Sequence, residues 1–521
     1  MPSTTLTQNQ WTQIYIGGSS TVDQQFQVTG GKALISLGTP SDATTAIDSA
    51  AFDDKLIYVP AATSVFARPN GVTGATITWG NFGSGQTAAG YELLTAGLPK
   101  ALPTVGTTST RLKLDKMRRA IAAAQVFNAE DAGIMSAPPA FTQGASADAA
   151  LTKVYTTGSN LSRFTVRGGR LLVRTDLSRV YVATADVSGD TGNMSSSTGT
   201  TTPAVQPGDM ALGPYYYSFM TDAPKLQVRL GAFTAGYPMR VLIDGQLAST
   251  TTWDFQSGGQ YLTIDFSSLT PSRKARQIDL ECQNVGPFFA ILTDPLSRIW
   301  QPRPRQAVRV AWTGDSHLAN NGGIVGRTYN GTTAVAARLL GIWDNRVVAV
   351  EGTGFIAKGG TGLRKTIFDQ MDSWVYDGVY DMIVFGGGFN DTANASQVVA
   401  AAALACWQKA RAAQPNALIV QLGVPGGRTG PSAGVIGTEN GLLSAFAAWA
   451  DPYSFAVPYS TDTEPAEFGT GQVGSTNGSG NSDLYVAASP EIHSSDAGHN
   501  YRGRRYANGI IQGIEALAAA A

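Results

Sequence analysis

Along the first 300 residues, apolar positions come in short alternating stretches broken by turn signals. Phe26 and Val28 alternate with polar neighbours, 33–35 is a brief apolar run, and 57–59 runs straight into Pro60. Further runs at 65–67 and 75–79 are separated by Asn70-Gly71. That spacing predicts a small β-sandwich over residues 1–95. Residues 111–127 place apolar side chains at 114, 117, 121 and 124, a helical period, within a helical linker at 96–150. The basic cluster Lys113, Lys116, Arg118 and Arg119 is expected to be a solvated face, and 188–205, rich in Gly, Ser and Thr, a long loop.

Alternation returns at 226/228/230, 262/264/266 and 278/280/282, with Asp244-Gly245 as a hairpin turn. Residues 151–303 therefore read as a second β domain, jelly-roll-like. Its aromatics Tyr215, Tyr216, Tyr217, Trp253 and Tyr261 suit core packing better than sugar stacking. Near residue 305 the pattern changes. Strands are expected at 308–311, 346–350, 381–385, 417–424 and 455–457. Helices are expected at 332–343, 368–375, 396–413, 439–450 and 498–518. Strands alternating with helices predict a parallel sheet covered on both faces over 304–521. The fold class is thus multidomain: N-terminal all-β modules followed by an α/β domain.

Composition narrows the function. Charged residues are only 14% of the chain, the net charge is −1, and there are 60 glycines among 521 residues. Binding nucleic acid requires a basic excess that is absent here. The two cysteines, Cys282 and Cys406, are too few for a disulfide scaffold. The first residues carry no basic segment followed by an apolar one, and no apolar run approaches the ~20 residues that span a bilayer. The expectation is a protein made in the cytoplasm without a signal peptide and without membrane insertion.

In parallel α/β sheets the chemistry sits beyond the carboxyl ends of the strands. Those positions hold Thr313-Gly314-Asp315-Ser316-His317, Glu351-Gly352-Thr353-Gly354, Gly386-Gly387-Gly388-Phe389-Asn390-Asp391 and, before the last helix, 489–499. Together they resemble the four sequence blocks of the SGNH (GDSL-type) hydrolases: Gly-Asp-Ser, a glycine, Gly-x-Asn-Asp and a C-terminal histidine. The resemblance covers the last two-fifths of the chain and implies a flavodoxin-like hydrolase fold. It also implies Ser316 as nucleophile, with the Ser316 N–H, the Gly354 N–H and the Asn390 amide as oxyanion donors. Asn390 next to Asp391 also suits a helix cap. Gly386–Gly388 lacks the Lys-Ser/Thr of a phosphate loop. Three histidines without Cys or carboxylate clusters give no metal site, and no cofactor is expected.

The base is one of the three histidines. His317 adjoins the nucleophile and would point away from it. Residues 493–499 resemble the family's His-Pro-x-Asp-Ala-Gly-His, whose first histidine is catalytic, which selects His493; the alternative pair is Asp496 with His499. The family's acid lies three residues before the histidine, where this chain has Pro490. Glu491 is one residue away and is the candidate substitute, with Asp483 or Asp496 as spatial alternatives. Without an acid the site reduces to a Ser-His dyad.

Two further resemblances set the context. Residues 25–35, 57–60 and 65–68 resemble the small β modules at the start of phage head-fibre and tail-fibre proteins. The second β domain resembles the jelly-roll preceding the catalytic domain of two-domain carbohydrate esterases. The expected function is a serine esterase, an O-deacetylase of a host surface glycan (capsule or lipopolysaccharide), on a phage or phage-like particle. Its expected partners are other virion structural proteins and further copies of itself as a homo-oligomer. The alternatives are a receptor-binding spike whose SGNH domain binds glycans with little catalysis and, more weakly, a cytoplasmic lipase or thioesterase.

Overall fold

The computed structural model describes the strands within residues 1–80. It also describes 108–126, 135–156, 160–174, 179–183, 185–186, 209–210, 214–230, 238–249, 251–254, 260–282, 288–302, 307–319, 330–359, 364–376, 378–462, 482–487 and 492–520. In the first 80 residues the strands form two antiparallel four-stranded sheets. One runs Ser3–Thr5, Thr76–Gly80, Gln24–Thr29, Leu56–Val59. The other runs Thr12–Tyr15, Val65–Pro69, Ala33–Leu37, Ala46–Asp48. The expected loop at 188–205 lies outside the described residues.

The second β region is a pair of antiparallel sheets around a common core. Leu226, Val228, Leu262 and Ile264 from one sheet meet Phe219, Val241, Ile278 and Leu280 from the other, all fully buried. Tyr215, Tyr217 and Trp253 belong to that core, as expected of them. The strand Ala140–Gly144 pairs with Gln260–Asp265, so this unit begins inside the segment expected to be a linker.

The helix in that segment, α1 (Thr108–Val126), is not a spacer either. Its buried stripe Leu114, Met117, Ala120 and Ile121 packs into the core of the α/β domain. The basic cluster is correspondingly not a solvated face. The Lys113 ammonium donates to the Tyr380 carbonyl, and Lys116 pairs with Asp381 at 2.7 Å. Burial pushes the Lys113 ammonium down to about 8. Only Arg118, paired with Glu515 at 2.9 Å, and Arg119 lie at the exposed surface. The apolar stripe decided the matter, because burying it requires the flanking lysines to find partners at the rim.

The α/β domain has five parallel strands: β1 (Arg309–Gly314), β2 (Asp344–Val347), β3 (Met382–Gly386), β4 (Leu418–Leu422) and β5 (Ser454–Val457), in the order β2-β1-β3-β4-β5. Alternate residues feed opposite cores. Val310, Trp312, Val384 and Val420 meet α1, α2 (Thr332–Leu339) and the last helix. Ala311, Ile383, Phe385 and Ile419 meet α3 (Ile367–Gln370), α4 (Ser396–Ala413) and α5 (Ala433–Trp449). Burial on both faces explains the nearly unbroken apolar strands. The short helix α6 (Ser482–Tyr485) and the long α7 (Asp496–Ala520) complete the domain.

A buried arginine joins the two units. Arg167 pairs with Asp279 at 2.7 Å in the sandwich, donates to the Trp343 carbonyl at 2.7 Å, and lies over the Trp343 ring at 3.7 Å. Next to it, the Gly168 N–H donates to Asp344 at the start of β2 at 2.7 Å.

A second buried charge holds the sheet's far end. Glu439 on α5 is fully buried and accepts five hydrogen bonds. These come from the N–H groups of Val424, Tyr459, Ser460 and Thr461 and from the Thr461 hydroxyl, at 2.6–3.0 Å. The carboxylate ties the ends of β4 and β5 to the helix that crosses beside them.

Candidate active site

The strand order reverses around β1: β2 lies to one side of it and β3 to the other. At such a switch point the connections leave in opposite directions and open a crevice. Ser316 is at this crevice, two residues past β1. The Asp315 carbonyl accepts from Leu318 at 3.2 Å and Ala319 at 3.0 Å, folding the chain into a tight elbow that carries Ser316. Close approach of β1 and β3 makes the elbow possible, since a Cβ on Gly314 would stand 2.5 Å from the Gly386 carbonyl. Ser316 retains 4% exposure, and none of the described residues hydrogen-bonds its hydroxyl.

The residue before the serine is a fully buried acid. Asp315 accepts the His317 N–H at 3.0 Å, and burial pushes its carboxyl up to about 7, with the Asp391 charge adding to the rise and Arg502 opposing it. His317, after the serine, points into the domain. Arg502 on α7 donates to its Nδ1 at 2.8 Å. Guanidinium has no acceptor, so Nδ1 is the bare nitrogen and Nε2 carries the hydrogen. Burial, and then Arg502, holds this imidazole well below its ordinary value, so it stays neutral.

His493 is brought to the same place. Its ring lies edge-on to that of His317, with centroids 5.7 Å apart. The backbone is pinned on both sides: Ala487 N–H donates to the His493 carbonyl at 2.8 Å and Ser495 N–H to the Tyr485 carbonyl at 2.9 Å. Burial lowers the His493 imidazole from its ordinary value, Glu351 acting against the shift and Arg502 with it. His499 lies six residues further on, in the first turn of α7, and its ring is engaged elsewhere. Fully buried, its Nδ1 accepts the Thr332 N–H at 3.3 Å and lies 2.9 Å from the Thr332 hydroxyl, at the start of α2. Asp496, its expected partner, is exposed at the first turn of α7. Pro490, Glu491 and the Asp483 side chain lie outside the described residues.

Asn390 and Asp391 follow β3 on a single 3-10 turn, Phe389–Asp391. The Asn390 amide donates one hydrogen to the Thr353 carbonyl at 2.9 Å, and none of the described residues accepts its second hydrogen. Asp391 is neither exposed nor a cap. Its carboxylate accepts the N–H groups of Phe355 (2.7 Å), Ile356 (3.1 Å) and Ala357 (2.8 Å) and so clamps the loop after β2. That clamp corrects the expectation for Gly354. Its N–H donates to the Ala357 carbonyl at 2.9 Å and is not presented to an oxyanion. A Cβ at Gly354 would stand 2.3 Å from the Asp391 carboxylate, which is what requires glycine there.

Asp391→Asn tests the clamp. An amide offers one acceptor oxygen where the carboxylate offers two and turns N–H groups against N–H groups. The expected cost is about 2–3 kcal/mol, from an unpaired buried donor and the lost charge assistance. A urea midpoint lowered at unchanged slope would show it; an unchanged midpoint would refute the clamp.

Sequence reading left three participants unrecognised: Asp391 as a clamp, Arg502 as the group orienting His317, and Glu439 as a hub. Glu439 carried a signal, since it falls on the buried stripe of α5 with Val435, Leu442 and Phe446. A carboxylate on an apolar stripe is rarely buried without partners. Arg502 carried none, because its partner is 185 residues away. Among the described residues, no three His, Cys, Asp or Glu side chains are grouped to hold a metal ion, and Cys282 and Cys406 are buried free thiols.

The sequence matches no family model and no curated protein. Several solved structures are similar at low identity. A family two carbohydrate esterase from Clostridium thermocellum, an active-site mutant, is 13% identical over 67% of this chain and 97% of its own, with a TM-score of 0.46. The salicylyl-acyltransferase of a tetracycline biosynthetic pathway is 15% identical over 69% and 98%, with a TM-score of 0.47. An acetyl xylan esterase from Butyrivibrio proteoclasticus is 12% identical over 71% and 97%, with a TM-score of 0.41.

Proposed function

We propose that this chain is a serine ester hydrolase of the SGNH type that removes acyl groups, acetyl above all, from a polysaccharide. What supports the reading is that Ser316 lies just past β1 at the switch point of a parallel sheet, Asn390 lies just past the neighbouring β3, and His493 has its ring 5.7 Å from that of His317, the residue after the serine. In the reaction, His493 takes the Ser316 hydroxyl proton as the oxygen attacks the ester carbonyl. The oxyanion rests on the Ser316 N–H and on the second hydrogen of the Asn390 amide. The tetrahedral intermediate collapses as the imidazolium returns the proton to the departing sugar oxygen. Water, deprotonated by His493, then attacks the acyl-enzyme, and acetate leaves as the serine regains its proton.

The setting follows from the resemblance of the first 95 residues. We place the enzyme on a phage or phage-like particle, exposed to the medium, as a homo-oligomer joined to other virion proteins and acting on host capsule or lipopolysaccharide. Pro490 at the family's acid position supports a second reading, a glycan-binding spike with little turnover.

The distinguishing experiment is acetate release from p-nitrophenyl acetate and from acetylated host polysaccharide. The enzyme reading expects turnover on both; a wild type that binds the glycan without releasing acetate establishes the spike. The pH dependence has a defined sign. His493 works as a base only when neutral, and burial lowers its pKa from 6.5. Activity is therefore retained as the pH falls to 6.5, and the acid limb of kcat/KM has its midpoint below that value. A midpoint at or above pH 6.5 would contradict His493 as the base.

A further inference from the structure

At the end of the sheet opposite Ser316, ahead of β3 and β4, lies a cavity of about 340 Å³. Its walls come from the turn before β3 (Tyr376, Val379), the turn between α4 and β4 (Gln414, Pro415, Asn416) and Lys113 on α1. Tyr376 and Val379 are exposed there. Lys113 is brought to this place by its helix, because Leu114 and Met117 are buried in the core and the side chain before them runs along the rim. Its ammonium donates to the Tyr380 carbonyl, and none of the described residues accepts its other hydrogens. The Gln414 amide beside it is committed elsewhere: its oxygen accepts the Tyr380 N–H at 3.1 Å, and its nitrogen donates to the Val375 and Gly378 carbonyls at 2.7 and 2.8 Å.

The surrounding charges leave the amine poorly compensated. Lys116, Lys225 and Lys409 each have a carboxylate at 2.6–2.8 Å, whereas Lys113 has a carbonyl. Asp381 is held by Lys116 at 2.7 Å and by the Arg309 N–H at 2.9 Å. Burial brings the Lys113 ammonium down to about 8, with Asp381 opposing the fall and Lys116 and Arg411 adding to it. About half of the amine is then uncharged near that pH, against under about 1% for a lysine at its ordinary value. We propose that Lys113 is a covalent acyl-acceptor site, separate from the Ser316 crevice, which takes the acyl group of an activated ester entering this cavity. The Nζ lone pair attacks the acyl carbon, the C–O bond to the leaving phenolate or alkoxide breaks, and the proton lost from nitrogen passes to water, leaving an amide. Tyr376 and Val379 offer apolar contact to the departing group. Acylation removes a positive charge where α1 docks on the sheet.

The test treats the full chain carrying Ser316→Ala with p-nitrophenyl acetate and follows acetylation of each lysine by peptide mass spectrometry. At pH 8, Lys113 should be acetylated about tenfold faster than the exposed Lys274. Its rate should level off above about pH 8, where the amine is already neutral, while that of Lys274 keeps rising toward about pH 10. Unfolding the chain in urea should erase the preference, and Lys113→Arg should remove this modification with that of Lys274 unchanged. Equal rates at the two lysines, a Lys113 rate that climbs with pH alongside Lys274, or a preference that survives urea would each overturn the proposal. The serine hydroxyl is absent throughout, so the outcome is independent of whether the crevice hydrolyses esters.

Discussion

Ser316→Ala lowers acetate release from p-nitrophenyl acetate and from acetylated polysaccharide by about 10⁴-fold, leaving a folded protein. The size follows from the chemistry: without the hydroxyl no acyl-enzyme forms, and what remains is whatever the oxyanion donors and binding give an attacking water. Stability should stay within about 0.5 kcal/mol, because none of the described residues depends on that hydroxyl for a hydrogen bond. His493→Ala is expected to match the loss, since a nucleophile and its base act as a unit. His499→Ala separates the histidines. It removes the acceptor for Thr332 at the start of α2 and should cost about 1–2 kcal/mol of stability, while turnover per folded molecule stays within about tenfold. Loss of turnover in His499→Ala with retention in His493→Ala would reverse their roles. A wild type no faster than Ser316→Ala on either substrate would end the esterase reading.

Glu439→Gln should be the most damaging conservative change outside the crevice, at about 4 kcal/mol. Both carboxylate oxygens are saturated: one accepts from Val424 and Ser460, the other from Tyr459, Thr461 N–H and the Thr461 hydroxyl. An amide keeps one oxygen and turns an NH₂ toward two or three donors, leaving buried N–H groups unpaired at about 1–3 kcal/mol each. There is no room to rotate away, since a Cβ on the neighbouring Gly423 would already stand 2.6 Å from the carboxylate. The ends of β4 and β5 are then no longer tied to α5. The measurement is thermal unfolding of the α/β domain, whose midpoint should fall by about 10 °C. A fall under about 2 °C would mean that the five donors find water or other acceptors, and that the hub is not structural.

Much of the α/β domain was legible because its strands are buried on both faces. Residues 308–311, 381–385 and 417–424 stand out as apolar runs, and the observed strands Arg309–Gly314, Met382–Gly386 and Leu418–Leu422 fall on them. Short alternation likewise identified the antiparallel strands at 226–230, 262–266 and 278–282. The candidate residues Ser316, Asn390 and His493 were legible because local order places each just past a strand or just before the last helix.

What local order cannot carry is a relation between side chains far apart in the chain. The helix at 108–126 looked like a linker because its apolar stripe says only that something covers it, not that the covering is the sheet 200 residues on. Gly354 looked like an oxyanion donor because a glycine in that position has two explanations, and only the Asp391 carboxylate against its Cα selects between them. The same holds for Arg502 on His317. Periodicity and chain order alone thus determined which elements form and which residues lie at their ends, because burial of an apolar face is a local property of spacing. Which of those ends meet, and which polar groups saturate one another there, was decided by the tertiary structure, because hydrogen bonds and charges are satisfied only by partners that packing brings within about 3 Å.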